Sequence, residues 1–301
     1  DQDFLEHMYV ATNHQYMMFF TQKGKCFWMR VYEIPEGSKT AKGRALQNLI
    51  NIESDDKVKA FICTQDLKDK EYTNSHNLIM VTKKGQVKKT SLDKYSKPRV
   101  NGVAAITIRE DDELLGAQLT NGQSQIILAV KSGKLVRFEE TKTRPMGRTA
   151  SGVRGITLKD ETDEVIGMVT VNDMESEILV VAENGYGKRS SLDEYRITNR
   201  GGKGVKTINV TEKTGNLVAI KNVTDEDDLM IINKSGITIR MAVSDLRVMG
   251  RATQGVKLIN IKENDSIAAV AKVMHEEDDE TDESENGTEI ENNNDESTNK
   301  E

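Results

Sequence analysis

The 301-residue chain has no apolar run approaching the ~20 residues that cross a bilayer, which excludes a membrane-inserted helix. Two cysteines, Cys26 and Cys63, are too few for a disulfide framework or a four-ligand zinc site, and fit a reducing cytoplasm. His7, His14, His76 and His275 stand apart, with no HxxxH or Cys/His spacing to hold a metal, and the acidic run from 225 to 228 lacks calcium-loop spacing. No Walker-type GK[ST] follows any Gly-rich stretch, so a nucleotide phosphate site is not expected. The 3.6-residue apolar period of a helical solenoid is also missing. The chain opens on Asp1-Gln2-Asp3-Phe4, without an initiating Met, a basic n-region or a small-residue cleavage site, so it reads as part of a longer chain with no secretory signal.

What is present is charge, unevenly placed. The net charge of −7 averages two unlike segments. Residues 275–301 hold thirteen acidic residues against Lys300, and are aromatic-free and polar, the composition of a disordered tail. Residues 1–274 therefore carry 41 basic and 36 acidic side chains, a folded body of net +5.

The body is built of repeats. Apolar runs precede a turn glycine at Met17-Met18-Phe19-Phe20 before Gly24 and Leu78-Ile79-Met80-Val81 before Gly85, again from Ile126 to Val130 before Gly133, and at Ile178-Leu179-Val180-Val181 before Gly185 and Leu229-Met230-Ile231-Ile232 before Gly236. These glycines lie 61, 48, 52 and 51 residues apart, and an extra polar stretch around Asp66 to Asn74, read as a loop insertion, accounts for the long first interval. A second glycine recurs as Gly43, Gly102, Gly152, Gly204 and Gly255, followed by a strand of the form Val-x-x-Ile-x-Leu and then a closing strand such as 165–169 or 267–270. Continuous apolar runs imply strands covered on both faces, and about four short strands per ~50 residues is the pattern of propeller blades. The fold class is all-β. Five full repeats are present, and Phe4 to Val10 matches the closing strand of a sixth. Tyr95 and Tyr195 recur at one repeat position and read as structural.

Basic residues keep register with the period. Four positions after the first glycine stand Trp28, Lys89, Arg137, Arg189 and Arg240; four before the second stand Lys39, Pro98, Arg148, Arg200 and Arg251. In the last three repeats the second register widens to Arg144/Arg148/Arg154, Arg196/Arg200/Lys206 and Arg247/Arg251/Lys257, and Lys203 joins the middle one. Solvated strands would mix both signs here, yet Asp and Glu gather instead in the third loop, as at 110–113, 160–164 and 225–228. Cations recurring along a disc edge are what a bent polyanion follows, since each neutralised phosphate releases counterions whatever the sequence. Arg and Lys dominate and paired aromatics are lacking at these positions, which favours a tracker of the duplex backbone over a single-strand stacking platform.

Thr198-Asn199-Arg200-Gly201-Gly202-Lys203-Gly204, with Glu183-Asn184-Gly185-Tyr186-Gly187-Lys188-Arg189 upstream and Gly250-Arg251-Ala252-Thr253-Gln254-Gly255 downstream, closely resembles the C-terminal DNA-wrapping domain of DNA gyrase A, within the type IIA topoisomerases, over residues 1–274. The resemblance implies a six-bladed β-pinwheel whose blades exchange strands and whose rim wraps duplex DNA for ATP-driven negative supercoiling. It also implies an A2B2 complex with the gyrase B protein, reached through the rest of the gyrase A protein, with ATP and Mg²⁺ bound elsewhere, and a bacterial, nucleoid-associated location. No residue of this chain is assigned catalysis, a cofactor or a metal. The family's Gln-Arg-Arg-Gly-Gly-Lys-Gly heptad belongs to the first blade and is expected before Asp1; residues 198–204 are its later-repeat cognate, without the leading Gln-Arg. The same domain occurs in topoisomerase IV, and a kelch-like protein-binding propeller has a similar period, but kelch units carry a Trp/Tyr signature and Trp28 is the only Trp. The acidic tail either solubilises the chain or competes with DNA for the basic rim.

Overall fold

The computed structural model describes residues 11–38, 43–262 and 265–274. The strand expected at Phe4 to Val10, the acidic tail and Lys39 lie outside them. Repeat one forms β1 (Tyr16–Thr21), β2 (Lys25–Arg30) and β3 (Val58–Thr64); repeat two forms β4 (Asn77–Thr82), β5 (Gln86–Ser91), β6 (Val103–Ala104) and β7 (Leu114–Thr120). Repeat three comprises β8 (Gln125–Val130), β9 (Lys134–Glu139), β10 (Val153–Arg154) and β11 (Val165–Val171), and repeat four β12 (Glu177–Ala182), β13 (Tyr186–Ser191), β14 (Val205–Lys206) and β15 (Leu217–Val223). Repeat five adds β16 (Asp227–Asn233), β17 (Thr238–Ala242), β18 (Val256–Lys257) and β19 (Ile267–Met274). The sheets are β3-β1-β2-β6, β10-β5-β4-β7, β11-β8-β9-β14, β15-β12-β13-β18 and β17-β16-β19. Each repeat thus hands its short third strand to the blade before it: β6 pairs with β2, β10 with β5, β14 with β9 and β18 with β13. In the fifth blade β17 keeps an outer edge with no such strand among the described residues.

The apolar runs are continuous because both faces of each blade are covered. Leu78 and Met80 pack toward Met18 and Phe20 of the first blade, whereas Ile79 and Val81 pack toward Ile126 and Leu128 of the third. The same alternation sends Ile127 and Ala129 onto Ile178 and Val180, and Leu179 and Val181 onto Leu229 and Ile231. Burial of these rows, at about 25 cal/mol per Å² of apolar surface, makes the contact between blades the dominant stabilising term. Tyr95 and Tyr195 are fully buried as expected; their hydroxyls meet the Ala105 carbonyl (2.9 Å) and the Thr207 hydroxyl (2.7 Å). The closing strands β3, β7, β11, β15 and β19 are innermost and line a central cavity of about 440 Å³. Opposite them, β6, β10, β14 and β18 are the outermost strands of their sheets.

Two local expectations change. The insertion at 66–74 is not all loop: Asp69 caps a helix, α1 (Lys70–Ser75), through its carboxylate, which accepts from the Glu71 and Tyr72 amides (2.9 and 3.1 Å). The Val-x-x-Ile-x-Leu segments are strands for only two residues each, because the chain then leaves the sheet edge, crosses the hairpin tip and buries Ile156, Ile208 and Ile259. The second glycine makes this path possible. Gly204 has φ +72°, and a Cβ on it would lie 2.5 Å from the Leu135 carbonyl oxygen; Gly255 (φ +81°) stands in the same relation to the Gly187 carbonyl. Only a residue without a side chain fits both the left-handed backbone and that approach.

Candidate nucleic-acid interface

The long loop before each exchanged strand lies on the second strand of the preceding blade. The amides of Met146, Thr198 and Met249 donate to the carbonyls of Lys89, Arg137 and Arg189 (2.7, 2.8 and 2.9 Å). The side chains of those strand residues reach into the same loops. Arg137 Nη1 donates to the Leu192 and Tyr195 carbonyls (2.7 and 2.9 Å) and its Nε to Gln125 Oε1 (2.6 Å). Arg189 bonds the Leu246 carbonyl and Asp225, and its Nη1 lies 2.9 Å from Glu177 Oε2. Lys89 Nζ sits 3.5 Å from both the carboxylate and the carbonyl oxygen of Glu140.

This corrects the first basic register. Lys89, Arg137 and Arg189 are only 6–7% exposed, because the loop of the next repeat covers the strand that carries them. They anchor one blade's loop to its neighbour and do not face solvent. Arg240 occupies the same register on β17, where no loop covers it among the described residues, and its Nε donates to Asp228 Oδ2 at 2.7 Å.

The second register is different. Arg144, Arg154, Arg196, Lys203, Lys206, Arg247 and Lys257 are exposed, with Arg154, Lys206 and Lys257 on the outermost strands β10, β14 and β18. Arg148, Arg200 and Arg251 are half-buried in the loops. Arg200 donates to the Lys142 and Arg154 carbonyls (3.0 and 3.1 Å), and Arg251 to that of Lys206 (3.1 Å), so each bridges two successive loops. Further bonds run in register around the edge: Thr107 N to Ala150 O (3.3 Å), Thr157 N to Gly202 O (2.9 Å) and Asn209 N to Thr253 O (3.1 Å). The loops therefore form one hydrogen-bonded basic border. The stretch Thr198-Asn199-Arg200-Gly201-Gly202-Lys203-Gly204, with Arg196, lines a cleft of about 460 Å³ on it.

Sequence reasoning missed part of this border. Lys94, Lys97 and Arg99 gather with Lys70 and Arg148 around a depression of about 300 Å³. Pro98 holds the register position there, and the charges flanking it were the available signal. The acidic third loops lie instead against the hairpin turns, except that 225–228 is not a third loop: it joins β15 to β16, where Asp225 and Asp228 pair with Arg189 and Arg240. Asp56, Asp112, Asp163 and Asp265 accept from the turn amides of Lys23, Lys84, Ser132 and Ser235 (3.1, 2.9, 3.0 and 3.2 Å), and Glu113 and Glu53 pair with Lys83 (2.6 Å) and Lys23 (3.1 Å).

Beneath the border lie two buried ammonium groups. Lys88 Nζ donates to the carbonyls of Ala105 and Arg148, and Lys188 Nζ to that of Gly250. Burial, reinforced by the Arg148 guanidinium, pushes Lys88 down to about 7, and burial pushes Lys188 down to about 8, with Glu194 opposing and Arg251 adding to the shift. A neutral amine still has two N–H groups, enough for both acceptors of Lys88. An unfolded lysine keeps its proton to about pH 10.4, so above pH 7 the unfolded chain binds more protons than the folded one and stability rises with pH. Cys26 and Tyr95, also in this pocket and pushed up mainly by burial, oppose the trend only above about pH 8.5. Urea unfolding at pH 7.0 and 8.5 is expected to show a gain of about 2 kcal/mol, abolished in the Lys88→Met, Lys188→Met double variant. An equal gain in both proteins would mean the two lysines remain charged in the fold.

Five sheets, four of them completed by a strand from the next repeat, with a basic outer border, define a β-pinwheel, a variant of the propeller. The family model for the DNA gyrase C-terminal domain, beta-propeller, matches residues 15–65, 76–121, 125–172, 176–224 and 227–274, one block per repeat. The DNA gyrase A protein of Staphylococcus aureus strain NCTC 8325 / PS 47 is 43% identical over 289 residues, 96% of this chain and 32% of the relative; that of strain MRSA252 is 42% identical over 295 residues. The fold is similar to the C-terminal domain of DNA topoisomerase IV (TM-score 0.78, 24% identity, 87% of this chain and 80% of that one). It is also similar to a DNA gyrase A C-terminal domain (TM-score 0.74, 22% identity, 90% of each). The chain belongs to the DNA gyrase A C-terminal domain family. It spans about a third of the length of the curated relatives it matches, and the kelch-like alternative falls away.

Proposed function

We propose that this domain binds duplex DNA along its basic border and bends it around the disc, as the C-terminal domain of a gyrase A protein. Within an A2B2 type IIA topoisomerase of the bacterial cytoplasm, the wrapped segment would be presented for ATP-driven strand passage that introduces negative supercoils. ATP, Mg²⁺ and the reacting groups would belong to the rest of the gyrase A protein and to its gyrase B partner, with no cofactor or catalytic residue here. Residues 1–274 would form the DNA-binding domain and 275–301 a separate acidic tail. The observation that carries this reading is the run of loop-to-loop hydrogen bonds that holds exposed Arg and Lys of successive repeats on one edge. Relatives at 42–43% identity favour gyrase over topoisomerase IV.

Wrapping demands many phosphate contacts, because bending a duplex of some 20–30 bp through 40–90° costs on the order of 1–6 kcal/mol. Titration of a linear duplex across a salt series is therefore expected to give a slope of log K against log salt steeper than about −5, since six phosphates at about 0.9 each set that value. An affinity indifferent to salt would overturn the reading.

A further inference from the structure

Two of the buried cations sit where packing does not call for them. Three positions after the hairpin glycine stand Phe27, Lys88, Val136, Lys188 and Ile239, so an apolar side chain fills this site in three of the five blades. Lys88 is 0% exposed and Lys188 1%. A buried ammonium is costly unless it is paired. Among the described residues the hydrogen bonds of both go to backbone carbonyls, and no carboxylate bonds to either.

The two sites share the border overhead. Lys88 Nζ ties the chain just after β6, at Ala105, to the border loop at Arg148, and Lys188 Nζ holds Gly250, next to Arg251. Lys88 is faced by Cys26 from β2, by Tyr95 from the turn after β5 and by the Arg148 guanidinium. Lys188 is faced by Tyr195 and Glu194 from the turn after β13 and by the Arg251 guanidinium. Burial pushes Cys26 and both tyrosines up, so these three stay neutral to about pH 9. Burial is also the main cause that loosens each lysine's proton; Arg148 adds to it over Lys88, and at Lys188 Glu194 opposes it while Arg251 adds. A phosphate seated on the border neutralises those guanidinia and brings a negative charge over a low-dielectric interior, where screening is weak. Both changes tighten the hold of each lysine on its proton.

We propose that Lys88 and Lys188 are positioning residues of the DNA border that take up protons as a duplex docks, so that DNA binding is proton-linked and the loop carbonyls are held by full ammonium groups beneath the phosphates. The proposal rests on the DNA-binding reading above. Because the bound domain then carries more protons than the free one, affinity falls as pH rises through the range in which the two amines lose theirs, from about 7 to about 9. Exposed lysines keep their charge over that range.

The test uses the 301-residue chain and a linear duplex at fixed salt. Calorimetric titration in buffers of different ionisation enthalpy counts the protons exchanged on binding. With each lysine's hold tightened about threefold, the expected uptake is about 0.4 proton per domain near pH 8, and affinity is about fivefold weaker at about pH 9 than at about pH 7. The Lys88→Gln, Lys188→Gln variant, which keeps an N–H donor for the loop carbonyls, should lose both effects. NMR of the unaltered chain with isotope-labelled lysine does not depend on how that variant folds. Two lysine Cε resonances should titrate well below those of exposed lysines, and at higher pH once duplex is bound. Binding without proton uptake, equal uptake by the variant, or lysine titrations that duplex leaves unmoved would overturn the proposal. Failure of the unaltered chain to bind duplex at all would overturn the underlying DNA reading, a distinct result.

Discussion

Arg189→Met is expected to destabilise the fold by about 3–5 kcal/mol, and Arg137→Met by about 2–4, although neither residue meets solvent. Removing Arg189 leaves the Glu177 carboxylate, in a half-buried site, without its cation, and strips the Leu246 carbonyl of its donor. Removing Arg137 orphans the Tyr195 carbonyl and Gln125 Oε1 and takes one of two donors from the Leu192 carbonyl, which keeps the Tyr195 amide at 3.1 Å. Met fills much of the volume of the arginine stem, so the loss is one of hydrogen bonding more than of packing. The measurement is the urea midpoint of each variant, read beside the salt slope of DNA binding at a temperature where the variant is folded. An anchoring role predicts lost stability with an unchanged slope. A phosphate contact would give the converse, a slope smaller by about 0.9 per residue with stability kept, and that result would restore these residues to the DNA-facing set.

The difference between those outcomes shows where the sequence stops being informative. Periodicity along the chain revealed the blades, because both faces of β4, β8 and β12 are covered and the apolar runs are uninterrupted. The glycines at 204 and 255 were legible as a register, and the reason for it, a backbone oxygen 2.5 Å from any Cβ, was not. Depth was not legible either. Lys89 and Arg137 sit in mixed strands that read as solvated, and what buries them is a loop more than fifty residues onward, a tertiary neighbour that no local pattern encodes. The transfer of β6, β10, β14 and β18 to the preceding blade came only with the family resemblance, since a two-residue strand carries no alternation to read. α1 was missed because six residues are too few for a helical period, although Asp69 with Glu71 in the first turn is a start signal. The second basic register was legible because most of its cations, such as Arg144, Arg196 and Arg247, are exposed and have no packing role to disguise them.

That register supports the other large effect. Arg144→Gln, Arg196→Gln and Arg247→Gln together are expected to lower affinity for duplex DNA about 10³-fold at 50 mM salt and to reduce the salt slope by about 2.7, as three lost phosphate contacts require. Their side chains are exposed, and no hydrogen bond or ion pair engages them among the described residues, so stability should stay within about 0.5 kcal/mol of wild type. The loss should be the same for every duplex sequence, because a phosphate contact carries no base information. Arg→Lys at the same three positions should retain most of the slope, since the charge remains and only the planar fork is lost. Arg148, Arg200 and Arg251 are poorer places for this test, as Arg200 and Arg251 also tie successive loops together and the Arg148 guanidinium acts on the buried Lys88 ammonium. A triple Gln variant that binds with the wild-type slope would place the DNA on some other surface of the disc.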